Sequence, residues 1–418
     1  MPEQLDQIAE SVASLAPAGL DLTDPDQLEA VQQAAERLLE SAPSRDALDG
    51  LEARLIDSDR PQPLLLHLAV KLARSKRFVD TIDHPALLSV VFAMYRENLR
   101  IQPRSTENAV GEDFLRRKAQ QLDWLTGDNP NVTWQLLAVD DGCPDGSGRI
   151  AQGIVDEMSD TERIRVLFLE EAIRDSAPIT HPLTDTSQSR KGGSILFGMA
   201  TATEIQEPDH VVLFTDADLS THLGQSGLLM QPILDDTGEA AIGSRREPTS
   251  VVVKAGRRNT RGKLFIYLWK QLLPVLENVV DTQCGFKAFR AELIDRITPH
   301  SLEKGFAFDI ELLLRTELDS AGSITKVPIA WIDSEAASTT TDLEPYLAML
   351  QTTVALYRHY LNAEPRAESF AELIESLDED SWNRLIDRMP SAIADAEPSE
   401  FGSDSAITAS DLAECLKT

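Results

Sequence analysis

Val211–Thr221 reads VVLFTDADLST, and this stretch constrains the fold more than any other. Apolar and β-branched residues run without a break into Asp216-Ala217-Asp218. Strands buried on both faces of a parallel sheet have this composition, whereas a half-solvated strand would alternate. Ligands in open α/β sheets bind at the carboxyl ends of the strands, which is where the two acids fall. On extended backbone residues i and i+2 point to one side, so both carboxylates can face one hard divalent ion, Mg2+ or Mn2+. Such an ion can bridge and neutralise a diphosphate. Two acids in a solvated loop are the plain alternative, and the neighbouring segments argue against it.

The chain around this stretch divides by pattern. Residues 1–84 carry apolar residues at spacings of three and four, as in LDQIAESVASL, DQLEAVQQAAERLLESA and SRDALDGLEARLI, which predicts a helical extension. Asp24 or Asp26 is placed to cap its second helix and Ser44 its third. His67, set among leucines, reads as a packed residue. Residues 85–362 alternate apolar strands with helices of ten to fifteen residues, which predicts βαβ units and a mainly parallel sheet. Residues 363–418 are acidic and interrupted by Pro and Ser, and are expected to be a peripheral helical tail, partly disordered. The extra helices suit a homodimer.

With 39 basic and 69 acidic residues the chain carries a formal charge of −30, which argues against binding nucleic acid or an anionic membrane. No stretch is long and apolar enough to span a bilayer, and the start lacks a cationic apolar leader, so a soluble cytoplasmic protein is expected. The three widely spaced cysteines support neither a disulfide framework nor a zinc cluster.

Against that acidity, a few segments stand out. SVVFAMYRE places Ala93, Tyr95 and Glu97 on a strand and its turn. VDDGCPDGS ends another strand on Asp140 and Asp141, either of which can accept hydrogen bonds from a base and a ribose. In RKGG, Arg190-Lys191-Gly192-Gly193 opens a helix, so glycine backbone, helix N-terminus and ammonium converge where an anion can sit. Arg245, Arg246, Arg257, Arg258 and Arg261 form a basic run that needs an anionic client or else makes surface ion pairs worth little. DTQCGFKAF contributes Asp281, Cys284 and Gly285, and Asp309 follows. Cys284 has no histidine near it in sequence and reads as packing. His222 reads as exposed polar surface. LFIYLW, Leu264–Trp269, suits either a bilayer interface or the buried face of a helix.

In this order these segments resemble inverting family-2 glycosyltransferases of the GT-A fold, and within them the polyprenyl-phosphate sugar transferases, over residues 87–345. The resemblance implies a nucleotide-sugar donor, bound by Ala93, Tyr95, Glu97, Asp140, Asp141, Lys191, Gly192, Asp216 and Ala217, with Asp141 at the base. It implies a Mg2+ or Mn2+ ion held by Asp216 and Asp218. It places a phosphorylated lipid or small-molecule acceptor against Arg245 and Arg257, with Arg246, Arg261, Cys284, Gly285 and Asp309 around it, and contact with the inner membrane face follows if the acceptor is a lipid. Asp218, Asp281, Lys191 and Arg245 are the catalytic candidates, Asp281 or Asp309 being a base only if the acceptor is a hydroxyl. Where the mannose-type enzymes have a Gln two residues after the motif this chain has Ser220, which leaves the third metal ligand open. A soluble hydroxyl acceptor, and a non-catalytic scaffold that binds nucleotide-sugar, remain as alternatives.

Overall fold

The computed structural model describes residues 2–158, 162–189, 191–253, 259–333, 346–403 and 405–417. Four helices open the chain: α1 (Pro2–Leu15), α2 (Pro25–Ser41), α3 (Arg45–Ile56) and α4 (Leu64–Val79). Asp24 and Ser44 cap α2 and α3 as expected, each accepting from backbone N–H groups of the first turn.

The sheet begins with β1 (Ala86–Met94), followed by α5 (Phe114–Thr126), β2 (Val132–Asp140), α6 (Ser147–Glu157), β3 (Ile164–Phe168), α7 (Leu169–Arg174), α8 (Gly192–Ala202) and β4 (His210–Thr215). Its second half is α9 (Ser226–Leu234), β5 (Ala240–Ser244), β6 (Val251–Val253), α10 (Asn259–Leu272), β7 (Phe286–Arg290), α11 (Ala291–Ile297), α12 (Phe308–Asp319), β8 (Ile324–Pro328) and β9 (Ala330–Ile332). Among the described residues, seven strands form one sheet in the order β3-β2-β1-β4-β7-β5-β8. Only β7 runs antiparallel to its neighbours, so the mainly parallel α/β architecture flanked by helices is what the chain adopts. Sequence order reverses between β1 and β4, and open α/β sheets bind ligands at the carboxyl ends of the strands at such a point. β4 is buried at every position, as its unbroken apolar run requires.

The N-terminal helices share one apolar core with a face of the sheet: Leu68 and Leu72 of α4 pack in the same cluster as Leu88, Val90 and Leu213. A buried ion pair, Lys71 Nζ to Glu52 Oε1 at 2.8 Å, joins α4 to α3, and the same ammonium donates to the Pro328 carbonyl at the end of β8.

The C-terminal residues differ from expectation. Helices α13 (Tyr346–Tyr360), α14 (Pro365–Glu375), α15 (Glu379–Asp387), α16 (Ser391–Ala394) and α17 (Ala409–Lys417) pack around α10. Phe370, Ile374, Trp382, Leu385, Phe401 and Leu412 are buried there, and they are what the acidic composition concealed. Leu264–Trp269 is the inner face of α10 beneath them, with each residue buried, so it meets protein and not a bilayer.

Candidate active site

Asp216 and Asp218 leave the end of β4 beside the end of β1, and a side-chain cation serves each of them. Lys191 Nζ donates to Asp216 Oδ1. Burial opposes the Asp216 charge and the Lys191 ammonium outweighs it, so Asp216 lies below the usual carboxylate range. Lys191 caps α8 with a φ of 88°, a left-handed conformation that turns its side chain from the helix start toward β4. Gly285 is required at its position: any Cβ there would collide with the Asp216 carboxylate. Asp218 Oδ1 accepts from the Ser220 N–H at 3.0 Å and from the Ser220 hydroxyl at 2.5 Å. Ser220 therefore braces the motif. Asp218 Oδ2 lies 3.7 Å from Arg100 Nη2.

Arg100 is a site residue that pattern reading missed. Its guanidinium is buried between Glu97 and Glu112, at 3.1 and 3.0 Å, with Asp218 beyond. Lys118 is fully buried, donates to the Asp218 carbonyl at 2.8 Å and lies over the Phe92 ring; burial brings its ammonium down to about 8. Nothing in the sequence singled these residues out, because Arg100, Glu112 and Lys118 stand among other charged residues such as Arg104, Glu107, Asp113, Arg116 and Arg117. Glu97 is buried, and that burial pushes its carboxyl up to about 7 against the pull of Arg100.

On the expected nucleotide side, Tyr95 is half exposed at the end of β1 with the Arg96 guanidinium 5.6 Å from its ring centre. Asp140 and Asp141 are engaged by the fold. Asp140 accepts from the N–H groups of Cys143 and Gly148, at 2.9 and 2.7 Å. Asp141 accepts from the Lys191 N–H at 2.9 Å and the Ser194 hydroxyl at 2.6 Å. Gly192 packs closely on protein: a Cβ there would strike the backbone of Lys304 and Gly305. Ala93 is the penultimate residue of β1, and Ala217 lies two residues past the end of β4.

On the expected acceptor side, Arg245 follows β5 and is clamped by Asp281. Its Nε and Nη2 reach the two carboxylate oxygens at 2.8 and 2.7 Å, and its N–H adds a third bond at 2.9 Å. The guanidinium also faces the Trp331 ring, 5.3 Å from its centre. Burial opposes the Asp281 charge, and Arg245 outweighs it and holds the acid far below the carboxylate range. Asp281 is thus an anchor, contrary to its candidacy as a base. Asp309 accepts from Gln283 at 2.8 Å and from the buried Lys287 at 3.2 Å, and burial raises it. Cys284 is fully buried and its thiol is pushed by burial up to about 12, so it packs and does not line the acceptor side. Arg246 is exposed. Arg261 donates to Asn383 of α15, 3.4 Å away. Arg190, Arg257 and Arg258 lie outside the described residues. His222 corrects an expectation of exposure: it is completely buried, its Nδ1 accepts from the Gly224 N–H at 2.9 Å, and its ring meets Trp124 edge-on. His67 is half-buried.

Among the described residues, no group of three or more His, Cys, Asp or Glu is arranged to hold a metal ion. Asp216 and Asp218 are the pair that would hold one, and in this structure protein groups face both carboxylates, Lys191 at Asp216, and Ser220 and Arg100 at Asp218.

No family model matches the chain. A dolichyl-phosphate beta-glucosyltransferase of Drosophila melanogaster is 27% identical over 284 residues, 66% of this chain and 74% of that protein. The Dictyostelium discoideum protein of the same name is 25% identical over 299 residues, 70% of this chain and 78% of that one. A polyprenol monophosphomannose synthase of Mycolicibacterium smegmatis is 27% identical over 202 residues, 48% of this chain and 67% of that one. A solved glucosyl-3-phosphoglycerate synthase from Mycobacterium tuberculosis overlaps 70% of this chain and 85% of its own, with a TM-score of 0.45 and 18% identity. The chain is a glycosyltransferase. Its sequence similarity is to the family-2 enzymes named for dolichyl and polyprenyl phosphate.

Proposed function

We propose that the chain transfers a hexose, with inversion, from a nucleotide-diphospho-sugar to a phosphate-bearing acceptor, a polyprenyl phosphate met at the membrane surface. UDP-glucose and GDP-mannose are the donor types implied. The state of Asp281 carries the choice of acceptor. A hydroxyl acceptor needs a general base at the reacting oxygen, and a phosphate is already an anion at neutral pH. Asp281 is tied by both oxygens to Arg245, and Asp309 is tied to Gln283 and Lys287. The arrangement supports an anion receptor, with the Arg245 fork presented from a fixed position. The names of the relatives support the same acceptor class. No helix among the described residues is long and apolar enough to cross a membrane.

Lys191 and Arg245 both act on the Asp216 charge and concentrate positive charge where a diphosphate leaves and a phosphate arrives. An acceptor phosphate oxygen attacks the anomeric carbon in line, the bond to the donor diphosphate breaks, and the nucleoside diphosphate departs with the electron pair. A Mg2+ or Mn2+ ion on Asp216 and Asp218 would neutralise that leaving group.

The test is transfer itself. The full chain is incubated with labelled UDP-glucose or GDP-mannose, Mn2+ and polyprenyl phosphate in detergent, with EDTA as control. Metal-dependent label in the lipid phase is expected from one donor. Label only in the aqueous phase, on a hydroxyl compound, would overturn the acceptor reading.

A further inference from the structure

The helices of residues 1–84 precede the segment that carries the glycosyltransferase resemblance, yet α4 is built into the acceptor side. Lys71 is 1% exposed, and its ammonium has two partners, Glu52 at 2.8 Å and the Pro328 carbonyl at 3.1 Å. Glu52 also has Arg74, on its other oxygen, so that carboxylate stays paired without Lys71. Burying an ammonium costs free energy that its partners must offset, and here one partner belongs to the far end of the sheet. Pro328 aligns with Ser244, the last residue of β5, and Arg245 follows it. Proline has no N–H for the strand ladder, and the next donor, the Ile329 N–H, reaches the Ser244 carbonyl at 3.4 Å. From this corner β9 runs past the arginine. Gln225 bonds both backbone groups of Ala330, at 2.9 and 2.8 Å, and the Trp331 ring centre lies 5.3 Å from the Arg245 guanidinium. The Ile332 N–H then donates to the Ser220 carbonyl at 2.9 Å. One end of this stretch is thus fastened to the residue that braces Asp218, and the other to Lys71. Gln225 itself sits against α4, where a Cβ on Gly224 would meet Leu72 and one on Gly227 the Ser75 carbonyl.

We propose that Lys71 is a positioning residue for the acceptor. From the N-terminal helices it fixes the Pro328 corner, and with it the end of β5 that carries Arg245 and the Trp331 ring that the guanidinium faces. The inference rests on the reading above of Arg245 as the receptor of the acceptor phosphate. Asp281 sets the direction of the Arg245 fork, and Lys71 sets the place of its backbone relative to the donor motif. The donor side keeps its own holds, Lys191 on Asp216 and Ser220 on Asp218, so the helices act on one substrate and not on the other.

Steady-state transfer by the full chain, with each substrate varied in turn, tests this on Lys71→Met, with Leu38→Ala as control. Methionine fills the space of the lysine without its ammonium, and Glu52 keeps Arg74. Leu38 is fully buried in α2 and belongs to none of these links, so its truncation destabilises the same helices and leaves the corner held. Assays are run below both melting temperatures. Lys71→Met is expected to raise the acceptor KM about tenfold, a fraction of what an ångström of misplacement can cost, with the donor KM unchanged. Leu38→Ala is expected to leave both KM values at the wild-type level. KM does not depend on how much of the protein is folded. A merely structural lysine therefore gives wild-type KM values in both variants, which overturns the inference and leaves the proposed function intact. A rise in acceptor KM shared by Leu38→Ala, or a matching rise in donor KM in Lys71→Met, overturns it as well. If the wild type glycosylates a hydroxyl compound instead, the proposed acceptor falls, and the same KM contrast with that compound decides the role of Lys71. No transfer by the wild type removes both. Should Lys71→Met not fold, the double variant Glu52→Gln/Lys71→Met removes both charges of the pair and is read by the same contrast against Leu38→Ala: a raised acceptor KM alone sustains the proposal, and unchanged values overturn it.

Discussion

Two pairs of aspartates end the strands on either side of β1, and they are held in different ways. Asp140 and Asp141, after β2, accept from three backbone N–H groups and a serine hydroxyl. Asp216 and Asp218, after β4, face the side-chain cations Lys191 and Arg100, with Ser220 bracing the second. Backbone donors cannot leave without refolding the loop that carries them, whereas a lysine on a four-carbon stem can. The first pair is therefore scaffold, fixing the β2–α6 turn and the start of α8. The second pair, whose one backbone donor is the Ser220 N–H to Asp218, can exchange its side-chain partners when ligand arrives.

Loss of the exchangeable pair should cost the most activity and the least stability. Asp218→Asn and Asp216→Asn are expected to lower transfer by about a thousandfold, the scale of losing charge stabilisation on a leaving diphosphate. The melting temperature should move by no more than about 2 °C. Scanning calorimetry beside the transfer assay checks both. A large loss of melting temperature would mean that this pair, too, is scaffold.

Arg245 sharpens the contrast on the acceptor side. Lysine keeps the charge but cannot span both oxygens of Asp281. Arg245→Lys is expected to lower kcat/KM for the acceptor about a hundredfold, the scale lost with a positioned charge-assisted donor, and to leave the donor KM unchanged. With a phosphate acceptor, Asp281→Asn should lower activity without removing a limb from the pH–rate profile, because Asp281 moves no proton. Appearance of a new pH dependence in that variant would restore Asp281 as a base and favour a hydroxyl acceptor.

Much of this was legible in the sequence because parallel strands announce themselves as unbroken apolar runs. Val211–Thr215, Leu136–Asp140 and Leu87–Met94 each run into polar residues that mark the carboxyl edge, so the positions of Asp141, Asp216 and Tyr95 followed. Hydrogen-bond commitments were not legible. That Asp281 is spent on Arg245 depends on an antiparallel strand, β7, inserted between β4 and β5, which brings residues 36 positions apart together. Arg100 was hidden because a buried arginine looks like a surface arginine until its acids, at 97, 112 and 218, are seen around it. The tail was misread because sparse, well-spaced apolar residues such as Phe370, Trp382 and Leu412 suffice when a helix as apolar as α10 supplies the other half of the core.

Asp141 tests the scaffold half directly. Its carboxylate joins β2 to α8, with burial raising its pKa while hydrogen bonds from Ser189 and Ser194 and the Lys191 N–H lower it. Asp141→Ala strands a buried N–H and a buried hydroxyl and is expected to cost about 2–4 kcal/mol, two unmade bonds to a charged group. Urea denaturation should show this as a lower midpoint with an unchanged slope. Donor affinity falls with it, since Lys191 begins at the same peptide. An Asp141→Ala protein of wild-type stability would break the comparison.

The boundary between the exchangeable and fixed regions lies within a few residues of the motif, at His222. Its imidazole is completely buried, Nδ1 accepts from the Gly224 N–H, and burial, with Lys118 adding repulsion, lowers its pKa from an ordinary 6.5 to about 3. The folded protein keeps this ring neutral and the unfolded chain protonates it near 6.5. The stability it permits is thus intact above about pH 6.5 and is lost progressively as pH falls toward 3. At pH 5 the penalty is about 2 kcal/mol, and at pH 7.5 it is close to nothing. In His222→Asn the side-chain oxygen can accept from Gly224 in place of Nδ1, and no proton is taken up. Urea midpoints at pH 7.5 and pH 5 should therefore converge in the variant while wild type loses about 2 kcal/mol more on acidification. His67 and His210 titrate in both proteins and cancel from the difference. Equal pH dependence in the two would mean that the ring is solvated, and that the chain remains loose four residues past the acid pair rather than locked against Trp124.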